Sequence, residues 1–433
     1  MARKGNFSGD GRGGELIGGY GSLSQKPVSA QQPETAETKS VYTPTVLIKM
    51  PNECDLFHVT ALWYLPSVWK TVGVERFVTV PSGVVSADGD PRRYEDSCDL
   101  EIVFDASDDS HPQTEPYELR GNQIVFTRFG KFAQADYIKR KLRAVGQQDL
   151  RFTYLNCWKH WKDIPSYAGS VMVVKSENGA RGISHLFFST ELTTPSRVGQ
   201  CLTELRNGGQ TLAHPDSEPQ DRSAFMLSVL NANLPEGKGP AAIFPQKGDS
   251  RLNEGYHQLL SGPTVWQEVR QDIVAEFRVI TDQRGFPSYF LRRDRNLDDE
   301  SLTLYDGKKN VRIGMARGNT AKVNSWMVIS KETDRVANDP PSWIRQYLCM
   351  DFANDAYGLV ESTRDTALTE AILKGINALN LPLHALDIYL TADHRWGIFE
   401  FCPQFGTASV PNTFLHSIGK AFIEETAEKV LKP

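Results

Sequence analysis

Nothing in this chain provides for a disulfide scaffold, a zinc centre or a membrane span. Its six cysteines (54, 98, 157, 201, 349 and 402) are scattered through 433 residues with no C-x-x-C pair, which argues against both cross-linked and zinc-bound architectures. No apolar run approaches the roughly 20 residues of a bilayer helix. The N-terminus also lacks the apolar core of a secretory leader. Charge is nearly balanced, with a formal net of −5, so nothing draws the whole chain towards nucleic acid or an anionic membrane. No internal repeat is present. The expectation is a cytoplasmic protein without a membrane partner and without general nucleic-acid binding.

Residues 1–40 have a composition of their own: Gly, Ser and charge up to Gln25, then Pro, Gln, Thr and Glu. Such a segment buries too little apolar surface to offset its ordering entropy, and a disordered tail is expected. Its GxG-like runs follow no strand and are not a nucleotide fingerprint.

The body has length for two or three lobes. β-branched and alternating runs predict strands at 42–50, 77–80, 100–105 and 124–128. Helical spacing appears at 62–72 and 133–144, the first interrupted by Pro66, which is expected to break or kink it. Strands alternating with helices predict an open α/β sheet. From Glu191 to Ser261 only an amphipathic helix near 198–205 stands out, and the rest reads as an inserted or mobile region. Strands at 264–269, 275–280 and 288–293 then read as an antiparallel meander turning at 270–272 and 282–285. A helix at 367–379 ends near Asn380, and a last one covers 417–431.

Two segments carry chemistry. Residues 171–184, V-M-V-V-K-S-E-N-G-A-R-G-I-S, deliver Lys175 from a strand into a loop holding Gly179 and Gly182. Glycines let backbone N–H groups approach an anion, and polyphosphate suits that device. An ordinary strand–turn–strand hairpin would read the same. Residues 386–406 form a predicted hairpin about the turn Ala392-Asp393-His394-Arg395. It sets Asp387 across from Glu400, and two facing carboxylates call for a cation, a hard divalent ion such as Mg²⁺ for choice. Solvated strand-end acids are the plain alternative. His185, His384 and His394 read as ordinary surface or core histidines.

Taken in order, these pieces resemble the ATP-grasp superfamily, especially carboxylate–amine ligases such as the ribosomal-protein glutamate ligases. The resemblance spans about Val46 to Leu431. It is carried by the Lys175–Gly179–Gly182 loop, by Glu276-Phe277-Arg278-Val279, which is similar to the E-[YF]-R-V strand, and by the final hairpin. It implies an α/β chain of α+β lobes in the ATP-grasp fold: an N-terminal open α/β domain at 41–160, a lid subdomain with an insertion at 161–270, and a C-terminal antiparallel-sheet lobe at 271–433. It further implies ATP and Mg²⁺ (or Mn²⁺) as cofactors, and small-molecule or peptide carboxylate and amine substrates joined through an acyl phosphate. Lys175, Gly179 and Gly182 would cover the phosphates, Gln267, Glu268 and Val269 would receive the adenine, and Glu276 with Arg278 would line the ribose side. Arg293 and Arg317, in Ala316-Arg317-Gly318-Asn319, would face the transferred phosphate and substrate. Asp387 and Glu400 would hold the metal.

Three departures accompany the match. Cys402 stands where the resemblance leads one to expect asparagine, two residues after Glu400, and a thiol is soft where Mg²⁺ prefers oxygen; Gln404 or Asn412 could supply the carbonyl. A second phosphate-binding lysine is expected upstream of the loop, with Lys159 and Lys162 as candidates. The region between Phe188 and Thr264 is long for a lid. Two other readings therefore stay open: an ATP-binding module without turnover, and a nucleotidyl-transferring ligase in which Lys175 is adenylated.

Overall fold

The computed structural model describes residues 45–50, 66–74, 76–81, 98–104, 115–127, 129–146, 148–166, 169–178, 185–207, 230–231, 241–244, 258–293, 301–305, 308–314, 325–327, 366–403, 405 and 412–431. The tail at 1–40, Gly179, Gly182, Arg317 and Gln404 lie outside them. The chain is a mixed α/β protein built on three five-stranded sheets.

The first sheet contains β1 (Thr45–Met50), β2 (Arg76–Pro81), β3 (Leu100–Phe104), β4 (Tyr117–Arg120) and β5 (Gln123–Phe126), in the order β2-β1-β3-β5-β4. All its pairings are parallel except β4 with β5, so it is the open α/β sheet expected from the strand–helix alternation. Helix α1 (Pro66–Thr71) begins at the proline expected to break it. In the first turn the missing N–H leaves no helix bond unmade, and the fixed φ suits a helix start.

The second sheet runs β6-β10-β7-β8-β9, with β6 at Cys157–Trp158, β7 at Val171–Ser176, β8 at His185–Ser189, β9 at Ala241–Phe244 and β10 at Thr264–Glu268. It is covered on both faces. Met172, Val174, Leu186, Phe188 and Trp266 pack against helix α3 (Pro195–Asn207). Val171, Val173 and Phe187 meet Leu304, Val311 and Ile313, which come from the hairpin β13 (Ser301–Tyr305) and β14 (Asn310–Gly314). Two-sided burial explains why β7 reads as a continuous apolar run. The region expected as a mobile insertion thus supplies a helix and a fifth strand to this sheet.

The third sheet is antiparallel throughout and ordered β15-β12-β11-β16-β17. Its strands are β11 (Ile273–Thr281), β12 (Pro287–Arg293), β15 (Ser325–Met327), β16 (Ala385–Thr391) and β17 (Trp396–Cys402). Helices α2 (Lys131–Ala144) and α4 (Thr366–Leu379) cover one face, placing Tyr137, Ile138, Leu142, Ile372 and Ile376 against Phe277, Val279, Ile388 and Phe401. Helix α4 ends as expected at Asn380, which adopts φ 52°. Asparagine tolerates that left-handed cap. Helix α5 (Asn412–Thr426) closes the described residues, and a π-helical turn at Ala427–Leu431 follows it.

The expected three-strand meander is corrected here. β11 and β12 do form a hairpin, but β10 pairs with β7 and β6 in the second sheet. The chain changes sheets at Arg270–Asp272, where Arg270 Nη2 meets Asp272 at 2.5 Å and Nη1 donates to Thr153 Oγ1 at 2.5 Å. Apolar alternation marks each strand, yet it says nothing about which neighbour the strand will pair with.

Candidate functional site

The face of the third sheet opposite its helices is polar in part, beside the buried Ile280, Tyr289 and Ala385. On β11 the apolar Phe277 and Val279 point into the core, so Glu276 and Arg278 point the other way. Arg278 lies opposite Asp387 on β16, and Asp387 opposite Glu400 on β17. In-register residues share a face, so the three form one row across three strands. The expected facing of Asp387 and Glu400 is therefore present, with a register shift directly after Asp387. Glu276 lies opposite Tyr389 on one side and Arg293 on the other.

Arg278 grips Asp387 with both prongs: Nε donates to Oδ1 at 2.9 Å and Nη2 to Oδ2 at 3.0 Å. Burial works against the guanidinium charge, but Asp387, with help from Glu400 and Cys402, outweighs it and raises the Arg278 pKa. Beside this row, Gly397 leaves room for the Tyr389 ring. A Cβ there would run into that ring and stand 2.6 Å from the Thr153 carbonyl oxygen, to which Tyr389 donates its hydroxyl at 3.0 Å.

The second sheet contributes Lys175, near the end of β7. Its Nζ donates to Gln267 Oε1 at 2.5 Å, and Gln267 Nε2 reaches Cys157 Sγ at 3.4 Å. Burial pushes the Cys157 thiol up to about 11. Glu268 accepts from Asn156 Nδ2 at 2.8 Å, and the Val269 amide donates to Val171 O at 3.0 Å.

Lys175 joins the two sheets. Burial first, then the charge of Lys131, lowers its pKa to about 8, while Glu400, Cys157 and Glu276 oppose the shift. Coulombic influence of that kind needs short separations in a poorly screened interior. The ammonium of the second sheet and the acids of the third are therefore near enough to act on one another.

Lys131 is the residue that sequence reasoning missed. It opens α2, and its charge acts on both Lys175 and His185. Of the expected candidates, Lys159 lies over the Phe132 ring at 4.8 Å and acts on Glu177, and Lys162 lies over the Trp161 ring at 5.4 Å. Glu177 anchors the arrangement. Its carboxylate accepts the Phe132 amide at 3.1 and 3.2 Å, and its carbonyl accepts the Lys131 amide at 3.2 Å. An acid at a helix N-terminus satisfies orphan N–H groups and complements the dipole. Burial raises the Glu177 pKa, against the lowering effects of the Phe132 bond, Lys131 and Lys159. The signal was present as Gly130-Lys131 before a helical run, but nothing local links it to Lys175.

Arg293 ends β12 opposite Glu276, and Asn412 begins α5. His384 is a core residue: Nδ1 lies 2.7 Å from Pro382 O, and the ring packs on Phe126 and Phe401. His394 sits in the hairpin turn with φ 59°.

Among the described residues no three His, Cys, Asp or Glu side chains gather into a metal site. Mg²⁺ seldom uses an all-protein cage; it binds one or two carboxylates together with substrate phosphates. Asp387 and Glu400 fit that donor set. The Cys402 sulfur does not suit such an ion.

No helix among the described residues is long and apolar enough to cross a membrane. No family model and no curated protein matches the chain. Solved structures do. D-alanine–D-alanine ligase from Bacillus anthracis aligns at 10% identity over 90% of this chain and 98% of that one, with a TM-score of 0.40. The same enzyme complexed with ATP aligns at 8% over 90% and 97%, TM-score 0.39. The ATP-grasp ligase PsnB, complexed with minimal precursor, aligns at 11% over 90% and 100%, TM-score 0.34. The site described above rests on this chain's own residues.

Proposed function

We propose that the chain is an ATP-dependent ligase joining a small-molecule or peptide carboxylate to an amine through an acyl phosphate. One observation carries the reading: Lys175 of the second sheet feels both Glu400 and Glu276 of the third. Two lysines, Lys175 and Lys131, whose charges act on one another near acids of another sheet suit a polyphosphate that the lysines neutralise.

The proposed functional division is 41–160, 161–270 and 271–433, one part for each sheet, although 131–144 and Cys157–Trp158 pack beyond the first part. Gln267 holds the Lys175 ammonium in place. Glu268 and Val269 border the adenine end, and Glu276 the ribose. Gly179 and Gly182 cover the phosphates. Arg278 fixes the direction of the Asp387 carboxylate, and Arg293 and Arg317 serve the substrate end. Asp387 and Glu400 would hold magnesium or manganese, which would supply charge neutralisation on the phosphates. A substrate carboxylate oxygen bonds to the γ-phosphorus as the bond to ADP breaks. An amine nitrogen then attacks the acyl carbon, phosphate leaves, and the amide forms. The protein contributes position and charge, as in other phosphoryl transfers, and a closed cleft keeps water from the acyl phosphate.

The test is a screen of carboxylates and amines read by ADP release, with the product weighed by mass spectrometry. ADP and phosphate with a condensed product support the reading. AMP and pyrophosphate, or an adenylated Lys175, overturn it in favour of nucleotidyl transfer. A second reading is a nucleotide-binding module without turnover, supported by the engagement of both Asp387 oxygens by Arg278. Calorimetric ATP binding with no ADP formed across the screen selects it. A cytoplasmic setting is proposed with the reading, because the reaction consumes ATP.

A further inference from the structure

His185 opens β8 directly opposite Lys175 on β7, so their side chains share a face of the second sheet. That face also carries Val171, Val173 and Phe187, which meet the β13–β14 hairpin. The ring meets Phe187 edge-on, centroids 6.0 Å apart. Its Nδ1 is buried and has no hydrogen-bond partner. Burial, then Lys175, then Lys131, keeps the imidazole neutral at ordinary pH. A buried polar nitrogen without a partner is destabilising, and such atoms in folded proteins ask for an explanation.

His384 also keeps a buried ring nitrogen without a hydrogen-bond partner, Nε2, but its Nδ1 lies within hydrogen-bond distance of Pro382 O and its ring lies among aromatic neighbours. The charged neighbours of His185 are instead two ammonium groups, those of Lys175 and Lys131.

A neutral donor between two cations suits one kind of ligand atom, an anionic oxygen. From this placement we infer that His185 is a ligand-binding residue whose Nδ1 hydrogen-bonds a phosphate oxygen of a nucleotide seated against Lys175 and Lys131. The inference rests on the nucleotide-site reading above and adds a contact to it. Nδ1–H of the neutral ring donates and the phosphate oxygen accepts; no bond is made or broken.

The experiment is calorimetric binding of ADP and of adenosine to the full chain, to His185→Asn and to His185→Phe. Removing a hydrogen bond to a charged group weakens binding roughly tenfold or more. The Phe variant is therefore expected to lose ADP affinity by that factor and keep its adenosine affinity, and the Asn variant, which retains an N–H donor, to lose less. Equal ADP affinity in all three proteins overturns the inference, as does a parallel loss of adenosine binding. If wild type binds no ADP, the nucleotide-site reading itself fails, which is a distinct outcome. Should the variants not fold, the ¹⁵N resonances of the wild-type imidazole decide: they shift on adding ADP but not adenosine, and resonances that ADP leaves unmoved overturn the inference.

Discussion

Arg278 and Asp387 stand directly opposite each other on neighbouring strands and are joined by two parallel hydrogen bonds of 2.9 and 3.0 Å. Both side chains are largely buried. Deleting one partner of such a pair leaves the other charge uncompensated, at about 3–5 kcal/mol. Arg278→Met is therefore expected to lower unfolding stability by that order, as measured by urea denaturation. Arg278→Lys, which cannot reproduce the fork, should recover only part of it.

With a Lys175 pKa of about 8, the proposed nucleotide binding is expected to be pH-dependent. A phosphate anion favours the charged amine. Affinity for ADP is thus expected to hold below that pKa and to fall as pH rises above it, approaching tenfold per unit. Because Glu400 supports the Lys175 charge, Glu400→Gln should move the midpoint to lower pH. Calorimetric titrations on both sides of the midpoint check both outcomes.

Glu177 connects the lysine strand to the start of α2 through the Phe132 amide. Glu177→Ala removes a charged cap and is expected to cost about 1–2 kcal/mol of stability. It should also weaken ADP binding, since the start of α2, where Lys131 sits, loses its side-chain tie to the strand that carries Lys175 and keeps only the backbone bond from the Lys131 amide to the Glu177 carbonyl. Unchanged ADP affinity in a destabilised variant would mean that the clasp serves the fold alone.

Burial holds the His384 pKa at about 4, against an ordinary value of 6.5. The folded ring stays neutral while the unfolded one takes up a proton below pH 6.5. Stability therefore falls as pH drops from the ordinary value to the folded one and then levels off, by about 3 kcal/mol in all. His384→Leu should flatten that part of the acid-unfolding profile.

Much of the site was legible locally. The length of the Ala392–Arg395 turn and the alternation on either side predict that Asp387 faces Glu400, and the ladder has that register. The apolar run before Lys175 identifies β7 just as locally, because a β-branched stretch bounded by turn residues marks a strand whatever the rest of the chain does. Sheet membership was not legible. Thr264–Glu268 reads as the first strand of a meander, yet it pairs with β7, because a strand's backbone groups accept any neighbour whose faces match.

What the sequence determined by itself was the set of strands and helices, the placing of Lys175 at a strand end, and the facing of two acids across one hairpin. Each follows from spacing within a few residues. Only the tertiary structure decided that the charge of Lys131 acts on Lys175, that Arg278 clamps Asp387, and that His185 is left with an unpartnered nitrogen. Those relationships join residues far apart in the chain, and they arise from how two sheets and a helix end pack together, which no local periodicity encodes.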